Sequence, residues 1–187
     1  YHLAALKHVK SCEYNPCEAI KTNIIGTKNV IDCSIYHNIE RLIYTSTDKA
    51  ANPSNVMGIT KLLGERLVSS AQNYCNKHDI GTIMSSLRFG NIIGSRGSVI
   101  PLWIDQIKKD RFITLTDPSM SRYLITNIEA TRLILKSSEI AKGGEVFLFK
   151  MASINMMELA NAVIGKYSCG NKIGINIIGI RDGEKIY

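Results

Sequence analysis

The sequence predicts an α/β protein: the C-terminal half of a doubly wound, Rossmann-type parallel sheet together with a small α/β lobe. Three observations lead there. Helical and extended segments alternate at crossover lengths from about residue 12 to residue 88. The extended segments 41–46 and 82–88 are short and bounded by polar turns, as buried strands are. From about residue 95 the texture shifts to shorter elements. The expected division is therefore 1–95 for the dinucleotide-binding half and 96–187 for the lobe, partly interleaved.

In chain order, Tyr1 to Ala5 reads as the end of a strand and the loop after it. Apolar residues at Ala19, Ile20, Ile24, Val30, Ile31 and Ile35 give a helical period from Cys12 to Tyr36. Residues 41–46 form a strand. A second helix runs from Asn55 to Lys77, with Ser54 or Asn55 as its cap and Gly81 beyond its end. Residues 82–88 give the next strand. Further on, helices are expected over 101–110, 127–140 and 154–166, and strands over 145–150 and 172–178. No glycine-rich phosphate loop opens a strand–helix turn, because Gly94-Ser95-Arg96-Gly97 follows a late strand. The chain is thus expected to begin after the fourth strand of the sheet and, by itself, to bind dinucleotide weakly or not at all.

Composition narrows the class. With 187 residues, 45% hydrophobic and 21% charged, the chain has enough apolar material for a core. No apolar run approaches the roughly 18–20 residues that span a bilayer. Five cysteines, an odd number without metal-ligand spacing, read as reduced thiols in a cytoplasmic protein and imply no metal site. The net charge of +7 is spread along the chain without an aromatic-studded basic stripe, which argues against nucleic acid and fits a small polyanionic ligand.

Residues 46–61, Ser-Thr-Asp-Lys-Ala-Ala-Asn-Pro-Ser-Asn-Val-Met-Gly-Ile-Thr-Lys, carry the densest chemistry. A hydroxyl, a carboxylate and an amine follow one another at Thr47, Asp48 and Lys49, at the end of a strand where open α/β sheets border their ligand crevice. Taken alone, the same tripeptide also suits a solvated turn holding an Asp–Lys pair. Lys61 sits four residues after Met57, on the same helical face.

This stretch resembles the active-site segment of the extended short-chain dehydrogenase/reductases, and within them the nucleotide-sugar 4,6-dehydratases of polysaccharide biosynthesis. These carry Ser-Thr-Asp-Lys-Ala, then Asn-Pro, then Met-Gly-x-Thr-Lys. The resemblance extends through His2–Val9, Glu13–Pro16, Lys21–Thr27, Arg88–Asn91, Gly94–Pro101, Met120–Tyr123 and 181–185, in that order. It implies an enzyme that oxidises carbon 4 of UDP-N-acetylglucosamine, loses water across carbons 5 and 6, and returns hydride to carbon 6. NAD or NADP is then regenerated at each turnover. A homo-oligomer is expected of the full-length protein.

The resemblance also implies roles. Lys49 becomes the base at carbon 5, Asp48 the acid at the carbon 6 hydroxyl, and Thr47 the partner of the carbon 4 oxygen, unless Thr47 is satisfied by backbone. A lysine serves as base near neutrality only if its pKa falls from about 10.4, and an aspartic acid donates only if its pKa rises from about 3.9. Met57 stands where the superfamily usually has Tyr, and a thioether exchanges no proton. Lys61, Ala4, Ala5, Lys7 and Arg88 are expected at the cofactor, although the alanines also suit simple packing. Asn91, Arg96, Ser98, Val99, Arg122, Arg181 and Glu184 are expected at the UDP-sugar. Each arginine taken alone suits a salt bridge equally well. Two rivals remain: a UDP-sugar 4-epimerase on the same scaffold, or a combined dehydratase/5-epimerase, and a cofactor-binding sensor or scaffold without catalysis.

Overall fold

The computed structural model describes residues 1–180 and 183–186, which divide into two units. The first comprises Tyr1–Phe89 and Ala130–Lys150, the second Gly90–Glu129 and Met151–Tyr187. The units interleave, the first boundary falling between Phe89 and Gly90. Residues 130–150, which the sequence assigns to the lobe, belong with the sheet because the strand they carry pairs there.

In the first unit, His2 bridges in parallel to Tyr44. Helices α1 (Val9–Tyr14) and α2 (Pro16–Ile20) follow, then a π-helical turn (Lys21–Ile25) and α3 (Gly26–Tyr36). The expected single helix from Cys12 to Tyr36 is therefore interrupted. Pro16 cannot donate a backbone hydrogen bond and starts a new helix at its first position. Strand β1 (Arg41–Thr47), a 3₁₀ turn (Asp48–Ala50), α4 (Val56–Lys77) and β2 (Ile83–Phe89) match their expected places within a residue or two. The Asn55 side chain caps α4 by accepting from Gly58 N at 2.7 Å.

In the second unit, β3 (Asn91–Ile92), α5 (Val99–Asp110), β4 (Phe112–Leu115) and β5 (Ser121–Ile125) come first. Helix α6 (Asn127–Ile140) then carries the chain back to the first unit, where β6 (Val146–Leu148) lies. The second unit closes with β7 (Ala152–Asn155), α7 (Met156–Tyr167) and β8 (Gly174–Ile177).

The first unit's sheet is parallel, in the order β1-β2-β6, with Thr47 in register with Phe89. Its core lies on both faces. On one side Leu42, Tyr44, Met84, Val68, Cys75 and Ile31 pack together; on the other, Ile43, Leu87 and Ala141 are joined by Ile134 and Phe147. Alternate β1 residues thus enter opposite clusters, and both faces are covered, as parallel strands require. The Glu145 carboxylate accepts from Ser85 Oγ and from the backbone of Lys142 and Gly143, which fixes the turn leading into β6.

The second unit holds a three-stranded sheet, β3-β5-β7, whose β5 and β7 are antiparallel, and the parallel pair β4-β8. Trp103, Ile107, Ile113, Leu115, Met156 and Ala160 form its core. Trp103 Nε1 donates to Thr114 O at 2.6 Å, so the buried indole is satisfied. Among the described residues no helix is long and apolar enough to cross a membrane, and no cluster of three or more His, Cys, Asp or Glu could hold a metal ion.

Candidate active site

The parallel strands deliver Thr47, Asp48 and Lys49 at the C-terminal end of β1, where the backbone turns into the 3₁₀ segment. Thr47 Oγ1 donates to Asp48 Oδ1 at 2.8 Å, and Lys49 Nζ donates to the same oxygen at 3.0 Å. The Lys49 backbone N–H points back to Thr47 Oγ1 at 3.4 Å. The side chains of Thr47 and Lys49 therefore converge on one carboxylate oxygen of the residue between them, and all three residues are half-buried. Gly58 makes this compatible with α4. A Cβ there would collide with the Lys49 carbonyl, so only glycine lets the helix start beside the turn.

Lys61 lies one turn into α4 and is buried at 6% exposure. Its ammonium sits 4.3 Å from the centroid of the Tyr44 ring and makes no ion pair among the described residues. Burial pushes its pKa down to about 8, against the opposing pull of Glu65. His2, whose pKa is pushed down chiefly by burial and further by Lys61, meets Thr27 Oγ1 at 2.9 Å.

Met57 is buried against Cys12 and Ala19, with Leu6, Val9 and Val56 around it. Its thioether fills space there and exchanges no proton. Ala4 and Lys7 are exposed and Ala5 is half-buried, all on the segment that leaves the His2 bridge. Asn23, in the π-helical turn, pins that segment: it accepts from Leu6 N at 2.7 Å and donates to Leu6 O at 3.0 Å and Thr60 Oγ1 at 3.0 Å. Arg88, expected at the cofactor, directs Nε and Nη2 to the two oxygens of Glu65. Ser46 Oγ donates to the same carboxylate.

The residues expected at the UDP-sugar fall in the second unit. Asn91 pairs with Leu124 in the β3–β5 ladder. Arg96 is exposed in a loop between Gly94 and Gly97, both at φ +71°. Ser98 precedes α5 without capping it, and its buried Oγ has no hydrogen-bond partner among the described residues. Val99 packs against the Trp103 core. Arg122 Nη1 donates to the carbonyls of Ser121 at 2.7 Å and Ile186 at 3.2 Å, so this expected diphosphate clamp also fastens backbone. Glu184 Oε2 is buried, again with no hydrogen-bond partner among the described residues. Arg181 lies outside the described residues.

Sequence reasoning missed Asn23, Tyr44 and Glu65. A signal existed for Asn23. It shares the buried stripe of Ala19, Thr27 and Ile31, where an amide must find partners. Glu65 gave a similar one, as a carboxylate four residues beyond Lys61 on the buried face of α4.

Known proteins align with the whole chain. An uncharacterized membrane protein of Methanocaldococcus jannaschii is 50% identical over 192 residues, covering all of this chain and 57% of its own length. The capsular polysaccharide biosynthesis protein CapD of Staphylococcus aureus is 46% identical over 191 residues, all of this chain and 31% of that protein. A UDP-glucose 4-epimerase of Rickettsia akari is 40% identical over 187 residues, all of this chain and 54% of the enzyme. The chain thus spans about half or less of the length of these curated relatives. Among solved structures, Pen from Bacillus thuringiensis matches with a TM-score of 0.94 at 46% identity, over 98% of this chain and 57% of that one. The dTDP-glucose 4,6-dehydratase DesIV from Streptomyces venezuelae, solved with NAD, matches with a TM-score of 0.86 at 17% identity over 99% of this chain and 62% of that one. This second likeness is one of fold, and it establishes the Rossmann-type α/β class. The profile of the polysaccharide biosynthesis protein family matches residues 1–187, and the chain belongs to that family.

Proposed function

We propose that the chain carries the catalytic part of a nucleotide-sugar 4,6-dehydratase that acts on UDP-N-acetylglucosamine, in the formation of surface polysaccharide or glycan precursors. The observation that carries this reading is the Thr47–Asp48–Lys49 cluster. Lys49 and Asp48 lie 3.0 Å apart, so the pair can offer an amine as base and a carboxylate that becomes an acid once it takes up the carbon 4 hydroxyl proton. Those are the base and the acid that a water elimination needs.

NAD or NADP is the cofactor in this reading. The residues present suit it: Lys61 offers a buried cation without an ion pair among the described residues, against Tyr44 of the parallel strand β1. When bound, the dinucleotide supplies hydride acceptance from carbon 4 and hydride return to carbon 6. The chain's own residues handle protons. Thr47 hydrogen-bonds the carbon 4 oxygen and hands the hydroxyl proton toward Asp48, to which it already donates at 2.8 Å. Lys49 removes the proton on carbon 5, acidified by the neighbouring ketone, and later gives it back. Asp48, made an acid by the carbon 4 proton it has just received, protonates the carbon 6 hydroxyl, which leaves as water, and so returns to the carboxylate that opens the next turnover. Ser98 Oγ and Glu184 Oε2, buried polar atoms without partners among the described residues, are suited to the nucleotide. Asn91, Arg96, Val99 and Arg122 complete that set, with the arginine charge opposing the diphosphate.

The 4-epimerase is the second reading, favoured by the relatives that carry that name at about 40% identity. Met57 weighs against it, since the proton exchange at carbon 4 loses its phenol. In the full-length protein, Asp48→Asn is the test. The dehydratase reading expects elimination to stop while reduced cofactor accumulates; undiminished 4-keto-6-deoxy product contradicts it.

A further inference from the structure

Tyr44 and Lys61 are 17 residues apart in the sequence and lie face to face in the first unit. The ring is 1% exposed, and the ammonium is 4.3 Å from its centroid. Such a contact between a cation and an aromatic face strengthens as water is withdrawn. The ring fits here for a local reason. Gly64, three residues beyond Lys61 on α4, faces it, and a Cβ at Gly64 would lie 2.6 Å from Tyr44 Cζ and closer still to the hydroxyl. An alanine at 64 would force the ring away. The phenol oxygen itself has no hydrogen-bond partner among the described residues, and the neighbouring Thr27 hydroxyl donates instead to Asn23 O at 2.7 Å. The ring face, not the hydroxyl, is what Tyr44 contributes.

We propose that Tyr44 is a positioning residue for Lys61: its ring seats and stabilises the ammonium, and the missing side chain at Gly64 is what admits the ring. The inference rests on the reading of Lys61 as the cofactor-binding lysine.

The surroundings leave this task to the ring. Glu65, on the same helix, is the carboxylate that acts on Lys61, but it is already paired with Arg88 of β2 and with Ser46 of β1. Burial, with Lys61 itself, pushes the pKa of His2, from the opening bridge, down. Burial likewise drives the Tyr44 phenol well above its usual range, so the ring stays uncharged. The aromatic face, which the His2 ring also approaches at 5.6 Å between centroids, is then an electron-rich surface set against the ammonium. Its loss favours the neutral amine and lowers the pH at which Lys61 gives up its charge.

The test is titration of Lys61 by NMR in the full-length protein carrying ¹³C-labelled lysine, alongside dinucleotide affinity. Tyr44→Phe keeps the ring and is expected to leave the Lys61 midpoint where it is. Tyr44→Leu is expected to lower that midpoint by roughly 0.5–1.5 pH units and to weaken the dinucleotide by about 3- to 30-fold well above the midpoint, with a smaller effect at neutrality. Gly64→Ala is expected to shift the midpoint in the same direction by displacing the ring, and it serves if Tyr44→Leu does not fold. An unmoved midpoint in a folded Tyr44→Leu or Gly64→Ala variant, or a shift as large in Tyr44→Phe, overturns the proposal. Lys61→Met separates the underlying reading: unchanged dinucleotide affinity in that variant removes the cofactor role of Lys61, whatever the midpoints show.

Discussion

Glu65 and Arg88 meet in a two-pronged ion pair, with Arg88 Nε 2.7 Å from Oε1 and Nη2 2.6 Å from Oε2. Because Ser46 donates to the same carboxylate, one glutamate on α4 fastens the ends of β1 and β2 directly beside the Thr47–Asp48–Lys49 turn. The pair lies where the carboxylate is almost fully enclosed, so geometry decides its value more than charge does.

Removing one partner should therefore hurt more than a surface pair would. Arg88→Met strands the Glu65 carboxylate in the interior and should cost about 3 kcal/mol in urea unfolding of the full-length protein. A cost below about 1 kcal/mol, the range of exposed pairs, would show that Glu65 is solvated after all.

Lys61 predicts the pH dependence of stability. Its pKa is about 8 in the folded chain and about 10.5 in the unfolded one. Between those values the unfolded chain binds more protons than the folded chain, so stability rises as pH rises through this window. Below about pH 8 the cost of burying the ammonium is present in full, roughly 3 kcal/mol at most. Comparing wild type with Lys61→Met at about pH 7 and about pH 9.5 isolates the effect. The variant should gain stability at the lower pH, and the gain should shrink at the higher.

Much of the fold was legible in the sequence, and the exceptions share causes. Helix α6 occupies the expected 127–140, and β1, β2 and α4 agree within a residue or two, because their periods are long and their caps are local. Strands β3, β4, β5 and β7 went unseen. With two to five residues each, they are too short to show a period of two. The π-helical turn at Lys21–Ile25 was also invisible, since it depends on Asn23 reaching Leu6 and Thr60. At the site, the Thr-Asp-Lys run was readable as neighbours in sequence. Tyr44 was not, because its importance arises only when Gly64 and Lys61 are brought against it.

Met57 should prove replaceable. It packs against Cys12 and Ala19 and exchanges no proton, so Met57→Leu should cost less than about 1.5 kcal/mol and leave turnover close to wild type. A loss of activity on the scale of a missing acid–base group, about 10²-fold or more, would give this side chain a role that its chemistry does not supply.

Lys49→Ala should separate binding from chemistry. The full-length variant should bind the sugar nucleotide nearly as well as wild type while product formation falls by about 10²–10⁴-fold, the usual contribution of a general base. Wild-type rates would place the carbon 5 base elsewhere.

The central claim is that the Asp48–Lys49 pair drives loss of the carbon 6 oxygen. The full-length protein can be given UDP-N-acetylglucosamine labelled with ¹⁸O at carbon 6, and the product read by mass spectrometry and NMR. A 4-keto-6-deoxy sugar with the label released as water is the expected product. A product inverted at carbon 4 that still carries the label at carbon 6 would contradict the claim.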